Sequence, residues 1–244
     1  MRNHLLCSLL LALLTGTVSL SGCSDSGSQK DDKSGIAKIF HSDKNLSDEE
    51  RARAQNIQGL QVCAQNNYAG AIPYFKRAVE LDEKADYYTN LGRCYYWIGR
   101  YGDALRAYAR AEELGARDPG IKANIGDVFR QRNDLSEAMK YYHQAISLDP
   151  DFARGHYELG NMLMKEGRYD EAIERMTRVL TIDPGFSKAM LARLICYRLT
   201  RQFEKAYQDL RDLDRRGYEV QSDLKHEILA GVNETRRNKP YPTN

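Results

Sequence analysis

Residues 85–118 read ADYYTNLGRCYYWIGRYGDALRAYARAEELGARD, and the spacing within this stretch decides the fold. Tyr101, Ala104, Tyr108 and Ala111 follow one another at intervals of three, four and three, which puts them on one face of a helix. The same registers recur along the chain with a period of 33 or 34 residues. Gly59, Gly92, Gly126 and Gly160 form one series, and Ala71, Ala104, Ala138, Ala172 and Ala206 a second. A third runs Ala78, Ala111, Ala145, Val179 and Leu213. Large residues sit four places after each alanine of the second series (Phe75, Tyr108, Tyr142, Met176, Leu210) and three places before it (Tyr68, Tyr101, Leu135, Tyr169, Phe203). A mid-helix glycine costs about 1 kcal/mol relative to alanine. Its recurrence therefore predicts a compensating close approach of helices at every repeat.

The pattern resembles the tetratricopeptide repeat (TPR), a helix–turn–helix unit with Leu-Gly, Tyr, Ala, Phe and Pro at fixed offsets. Leu91-Gly92 with Tyr95, Ala104 and Tyr108 matches it, as does Leu159-Gly160 with Ala172 and Pro184. The resemblance implies an all-α fold, a right-handed superhelix of about five hairpins. Repeats are placed at 52–84, 85–118, 119–152, 153–186 and 187–220, within a segment 47–220. A capping helix follows at 221–235, then a loose tail at 236–244. The position often held by Trp carries Gln55, Tyr88, Lys122, His156 and Met190, and the fifth repeat has Arg193-Leu194 in place of Leu-Gly.

Punctuation agrees with the period. Ser47 and Glu50 have the spacing of a capping box ahead of the first helix. Asp118-Pro119 offers an N-cap and a proline at the first helical position. Ser222 is expected to cap the last helix, with Leu224, Ile228, Leu229 and Val232 on its buried face.

The N-terminus carries a different signal. Arg2 precedes an apolar run from Leu5 to Leu14, too short to span a bilayer but suited to a signal-peptide core. It ends Leu20-Ser21-Gly22-Cys23, which resembles the lipobox of bacterial lipoproteins. The resemblance implies removal of residues 1–22 and lipidation of Cys23. Residues 23–46 would then be a flexible tether, and Ser24 after the cysteine, where inner-membrane retention uses Asp, points to the outer membrane facing the periplasm.

The formal net charge is +2, and the leader takes one Arg with it, so no basic surplus is left for a nucleic-acid partner. Phosphate loops, paired zinc histidines, a nucleophile elbow and an EF-hand loop are all missing from the sequence, so no catalytic residue, cofactor or metal is expected. His156 falls at a core repeat position and reads as a packed histidine. Cys63, Cys94 and Cys196, far apart in sequence, read as small buried residues on helix faces.

The family lines its concave groove with the first helix of each hairpin. Carried onto this chain, that implies a partner-binding set of Asn90, Arg93, Tyr96, Trp97, Asn124, Asp127, Arg130, Arg154, Tyr157 and Asn161. Asn124 and Arg154 match two positions with which some members grip a terminal carboxylate, whereas Thr89, Arg93 and Glu158 do not match the others. The function this implies is a lipid-anchored envelope scaffold that binds a protein or peptide in its groove. Its layout is similar to pilotin-type lipoproteins of pilus and secretion systems. An adaptor for periplasmic proteases or peptidoglycan enzymes is the alternative of the same class, and a ligand-binding or enzymatic domain that of another.

Overall fold

A computed structural model describes residues 46–238, and among these every regular element is an α-helix. Cys23, the leader and the tether to residue 45 lie outside the described residues, as does the chain from residue 239. The eleven described helices are α1 (Asp48–Ala64), α2 (Tyr68–Leu81), α3 (Ala85–Trp97), α4 (Tyr101–Glu113), α5 (Pro119–Gln131), α6 (Leu135–Leu148), α7 (Ala153–Lys165), α8 (Tyr169–Ile182), α9 (Ser187–Leu199), α10 (Phe203–Arg215) and α11 (Ser222–Arg237). Successive pairs from α1–α2 to α9–α10 pack as hairpins, and the second helix of each meets the first helix of the next. The odd-numbered helices from α1 to α9 also approach one another in turn and together form one face.

The glycine series does what its period predicts. A Cβ at Gly59 would fall 2.7 Å from the Phe75 ring, at Gly92 2.6 Å from Tyr108, at Gly126 2.7 Å from Tyr142, and at Gly160 2.7 Å from the Met176 methyl. Each of the first four hairpins thus seats a large second-helix residue directly on the bare backbone of the first helix, and all four large residues are buried. In the fifth hairpin Leu194 takes the glycine position, and both it and Leu210 are buried.

A further periodic device closes each hairpin. Asn66, Gly99, Asn133, Gly167 and Arg201 all have φ between 59° and 77°. They follow the first helix of each repeat, and the next backbone N–H reaches back to the helix, as from Arg100 to the Tyr95 carbonyl at 2.8 Å and from Gln202 to that of Tyr197 at 2.7 Å. This is the left-handed C-terminal cap that favours Gly and tolerates Asn. Arg201 adopts the same conformation without either advantage.

At the helix starts, the Ser47 hydroxyl accepts from the Glu50 N–H while the Glu50 carboxylate accepts from the Ser47 N–H, completing the capping box. Asp118 accepts from the Gly120 N–H ahead of Pro119. Ser222 does not cap α11: Gln221 occupies the N-cap without a side-chain bond, and Ser222 is already helical. The buried stripe of α11 is Ile228, Gly231 and Val232, whereas Leu229 lies one step outside it and stays 40% exposed. Gly231 lets α11 settle on the Phe203 ring, 2.4 Å from where a Cβ would be.

His156 is packed in the core at 5% exposure. Its Nε2 lies 3.0 Å from the Pro150 carbonyl, to which the neutral ring can donate, and its Nδ1 has no partner among the described residues. Burial, with the cations of Arg175 and Arg178, pushes its pKa below the ordinary histidine value, against the pull of the Pro150 carbonyl and Asp151. A depressed pKa means that the unfolded chain takes up the proton first. The contribution is therefore full above about pH 6.5 and is lost as pH falls through the lowered folded value. His156→Met, the residue the fifth repeat uses at this register, should flatten the drop in melting temperature between about pH 7.5 and pH 5.5. Equal slopes for the two proteins would refute this.

Candidate functional site

The face built by the odd-numbered helices is indented between α3, α5 and α7. Arg93, Tyr96 and Trp97 from α3, Asn124 and Asp127 from α5, and Arg154 from α7 line a cleft of about 220 Å³ floored by Tyr108. Helical spacing explains the grouping, because residues three and four apart on one helix share a face. The repeat period then brings the same face of the next helix alongside.

Asp127 is the hub, only 7% exposed. It accepts a 2.8 Å bond from the Tyr142 hydroxyl, ion-pairs with Arg154, and receives a longer contact from Arg130 at 3.4 Å. Arg154 also donates to the Asn124 side-chain oxygen at 2.9 Å, which holds its guanidinium across the cleft. Burial first, then the Asp127 charge, pushes the Tyr142 pKa up, so it remains a neutral donor to Asp127. Arg93 differs from Arg154. It is exposed and has no hydrogen bond or ion pair among the described residues. With Asp127 and Arg154 offsetting each other, the cleft keeps one uncompensated cation.

Beside it stands an aromatic wall. Trp97 is 59% exposed, its ring stacked on Tyr68 at 5.3 Å and set edge-on to Tyr96 at 5.4 Å. The Tyr96 hydroxyl accepts from Gln131 at 3.2 Å. A second recess of about 370 Å³ continues along α5 and α7, lined by Arg130, Glu158, Asn161, Met162, Met164 and Lys165. Burial and the nearby Asp127 charge push the Glu158 pKa up, against the pull of Arg130, Arg154 and Lys165.

Eight of the ten residues expected in the groove thus line these two recesses. Asn90 instead donates to Asn56 at 3.0 Å, tying α3 to α1. Tyr157 turns away and packs on the Phe186 ring with centroids 5.0 Å apart. The sequence reading missed Tyr68, Tyr108 and Glu158. Tyr68 and Tyr108 come from second helices, which the groove rule does not survey. Glu158 lies on a first helix, α7, one residue after Tyr157, and only its place in the second recess marks it.

Family models of the tetratricopeptide repeat match residues 48–120, 126–165 and 153–186, together more than half of the chain. It is a tetratricopeptide-repeat protein. Such repeats bind protein or peptide partners. Among curated relatives of this repeat protein, the small glutamine-rich tetratricopeptide repeat-containing protein 2 of Mycosarcoma maydis is 34% identical over 85 residues, covering 35% of this chain and 24% of that protein. The chain spans about a quarter to a third of the length of the first such relatives. Among solved structures, PilF of Pseudomonas aeruginosa superposes with a TM-score of 0.65 at 18% identity, over 81% of this chain and 95% of PilF. PilW, a widely conserved type IV pilus biogenesis factor, gives 0.62 at 18% identity, over 76% of this chain and 87% of PilW. At these identities the likeness is one of fold.

Proposed function

We propose that this repeat protein is a non-catalytic scaffold, anchored to the bacterial envelope through a lipid on Cys23, that holds a protein or peptide partner along the α3–α5–α7 face. The observation that carries the reading is the uncompensated Arg93 beside the exposed Trp97 and Tyr96. A cation next to an open aromatic wall suits a peptide that brings an acidic group and an apolar side chain together. Asn124 and the neighbouring Asn161 add donors and acceptors for an extended backbone. The lipobox supports the anchor, with the outer membrane, periplasmic side, as its destination. The fold shared with PilF and PilW favours assistance to a pilus or secretion assembly over service to proteases or peptidoglycan enzymes.

One crosslinking pull-down from envelope extract tests both halves. The full chain is compared with an Arg93→Ala/Tyr96→Ala/Trp97→Ala variant of unchanged helicity and with Cys23→Ala. The triple variant should lose the partner roughly a hundredfold, as expected when hot-spot residues are removed together. Cys23→Ala should keep the partner but fractionate away from membranes. Equal capture by the triple variant would dismiss the cleft, and membrane retention of Cys23→Ala would dismiss the anchor.

A further inference from the structure

Two thiols that lie 31 residues apart in sequence meet between the first two repeats: Cys63 in the last turn of α1 and Cys94 in α3 place their Sγ atoms 3.3 Å apart. Both are free, Cys94 buried and Cys63 half-buried. A disulfide requires a separation of about 2.05 Å, so little more than about 1 Å remains to be closed. Space for that shift exists, because the two cysteines border a small cavity of about 30 Å³ shared with Leu60, Tyr68, Phe75, Asn90 and Arg93. Cys196, by contrast, is buried within the α7–α9 part of the core.

We propose that Cys63 and Cys94 form a disulfide that staples α1 to α3. The oxidant is an external disulfide, either a low-molecular-weight one such as oxidised glutathione or a protein dithiol–disulfide pair. The half-buried Cys63 gives up its proton and its thiolate attacks one sulfur of that disulfide, expelling the other as a thiolate. Cys94 then loses its proton and attacks Cys63 Sγ, expelling the second external thiolate. Two electrons pass from the cysteine pair to the external disulfide, which leaves as two thiols once protonated. Burial first, then the neighbouring Cys63, pushes the Cys94 pKa up, with Arg93 pulling the other way. Cys94 therefore suits the second step, where its target is already in contact, better than the first. The bond would close a loop containing all of α2 and hold the terminal repeat, which has a neighbour on one side only among the described helices. Terminal units of repeat arrays are the first to fray.

The test is a peptide map of the full chain after exposure to oxidised glutathione, alkylation in denaturant and tryptic digestion without reduction. Peptide 54–76 should appear joined to peptide 94–100, two hydrogens lighter than their sum and separated by dithiothreitol, while Cys196 is recovered alkylated in peptide 194–198. Oxidation should raise the melting temperature by about 5–10 °C, an increase that Cys63→Ser abolishes. Recovery of Cys63 and Cys94 as alkylated thiols overturns the proposal. So does a lasting glutathione adduct on Cys63, or linkage of either cysteine to Cys7, Cys23 or Cys196.

Discussion

Arg193→Leu is expected to destabilise the protein by about 3–5 kcal/mol, and adding Asp209→Ala to restore most of that loss. Arg193 grips Asp209 with two parallel bonds, Nε to Oδ2 at 2.9 Å and Nη2 to Oδ1 at 2.7 Å. Asp209 is 4% exposed, and burial pushes its pKa up against the pull of Arg193. Removing the guanidinium leaves a carboxylate in the core with no counter-charge, the costly way to break a buried pair. The second, third and fourth repeats show the alternative. They place Leu91, Ile125 and Leu159 at the Arg193 register, and the second repeat has Ala107 opposite, at that of Asp209. The double variant recreates that apolar arrangement. Urea unfolding followed by helical ellipticity, run as a double-mutant cycle, measures the coupling. A single variant within about 1 kcal/mol of the parent, or a double variant no better than the single one, would refute the account.

Gly126→Val should cost about 3 kcal/mol and weaken partner binding in the same protein. The new Cβ would lie 2.7 Å from the Tyr142 ring and 3.2 Å from the Ala138 carbonyl oxygen. Neither neighbour can retreat, because one is backbone and the other is a buried ring tied by its hydroxyl to Asp127 at 2.8 Å. Displacing Tyr142 therefore displaces Asp127, and with it the partner that orients Arg154. Gly160→Ala provides the contrast. Its nearest neighbour is the Met176 methyl, the end of a flexible chain, so the change should stay within about 1 kcal/mol after the gain in helix propensity. Denaturation midpoints rank the two substitutions, and similar losses at both sites would show that the rigidity of Tyr142 is not what matters.

The hairpins were legible because the same steric demand is repeated: a glycine under Phe75, Tyr108, Tyr142 or Met176 leaves a mark at every period. The left-handed turn positions left a mark too, but it alternates between Asn66, Gly99, Asn133 and Gly167 before reaching Arg201, a residue that does not announce a positive φ. Where a contact is unique, the period carries no information. Arg193 with Asp209 shows in the sequence only as a departure from Leu-Gly, and the meeting of Cys63 with Cys94 depends on how α1 leans on α3. Tyr157 lines neither recess because it packs on Phe186, the residue just ahead of α9. Leu229 escaped burial because α11 packs along a narrow stripe centred on Gly231.

The helices lean on near neighbours, and the ties between repeats, such as Asn90 to Asn56 and Gln131 to Tyr96, span 34 and 35 residues, about one period. Folding such a chain requires no distant ends to find each other, so little loop-closure entropy opposes it. Once two periods of chain are available, the contacts of the first are nearly complete. The array can therefore assemble vectorially, hairpin after hairpin, as the polypeptide is released.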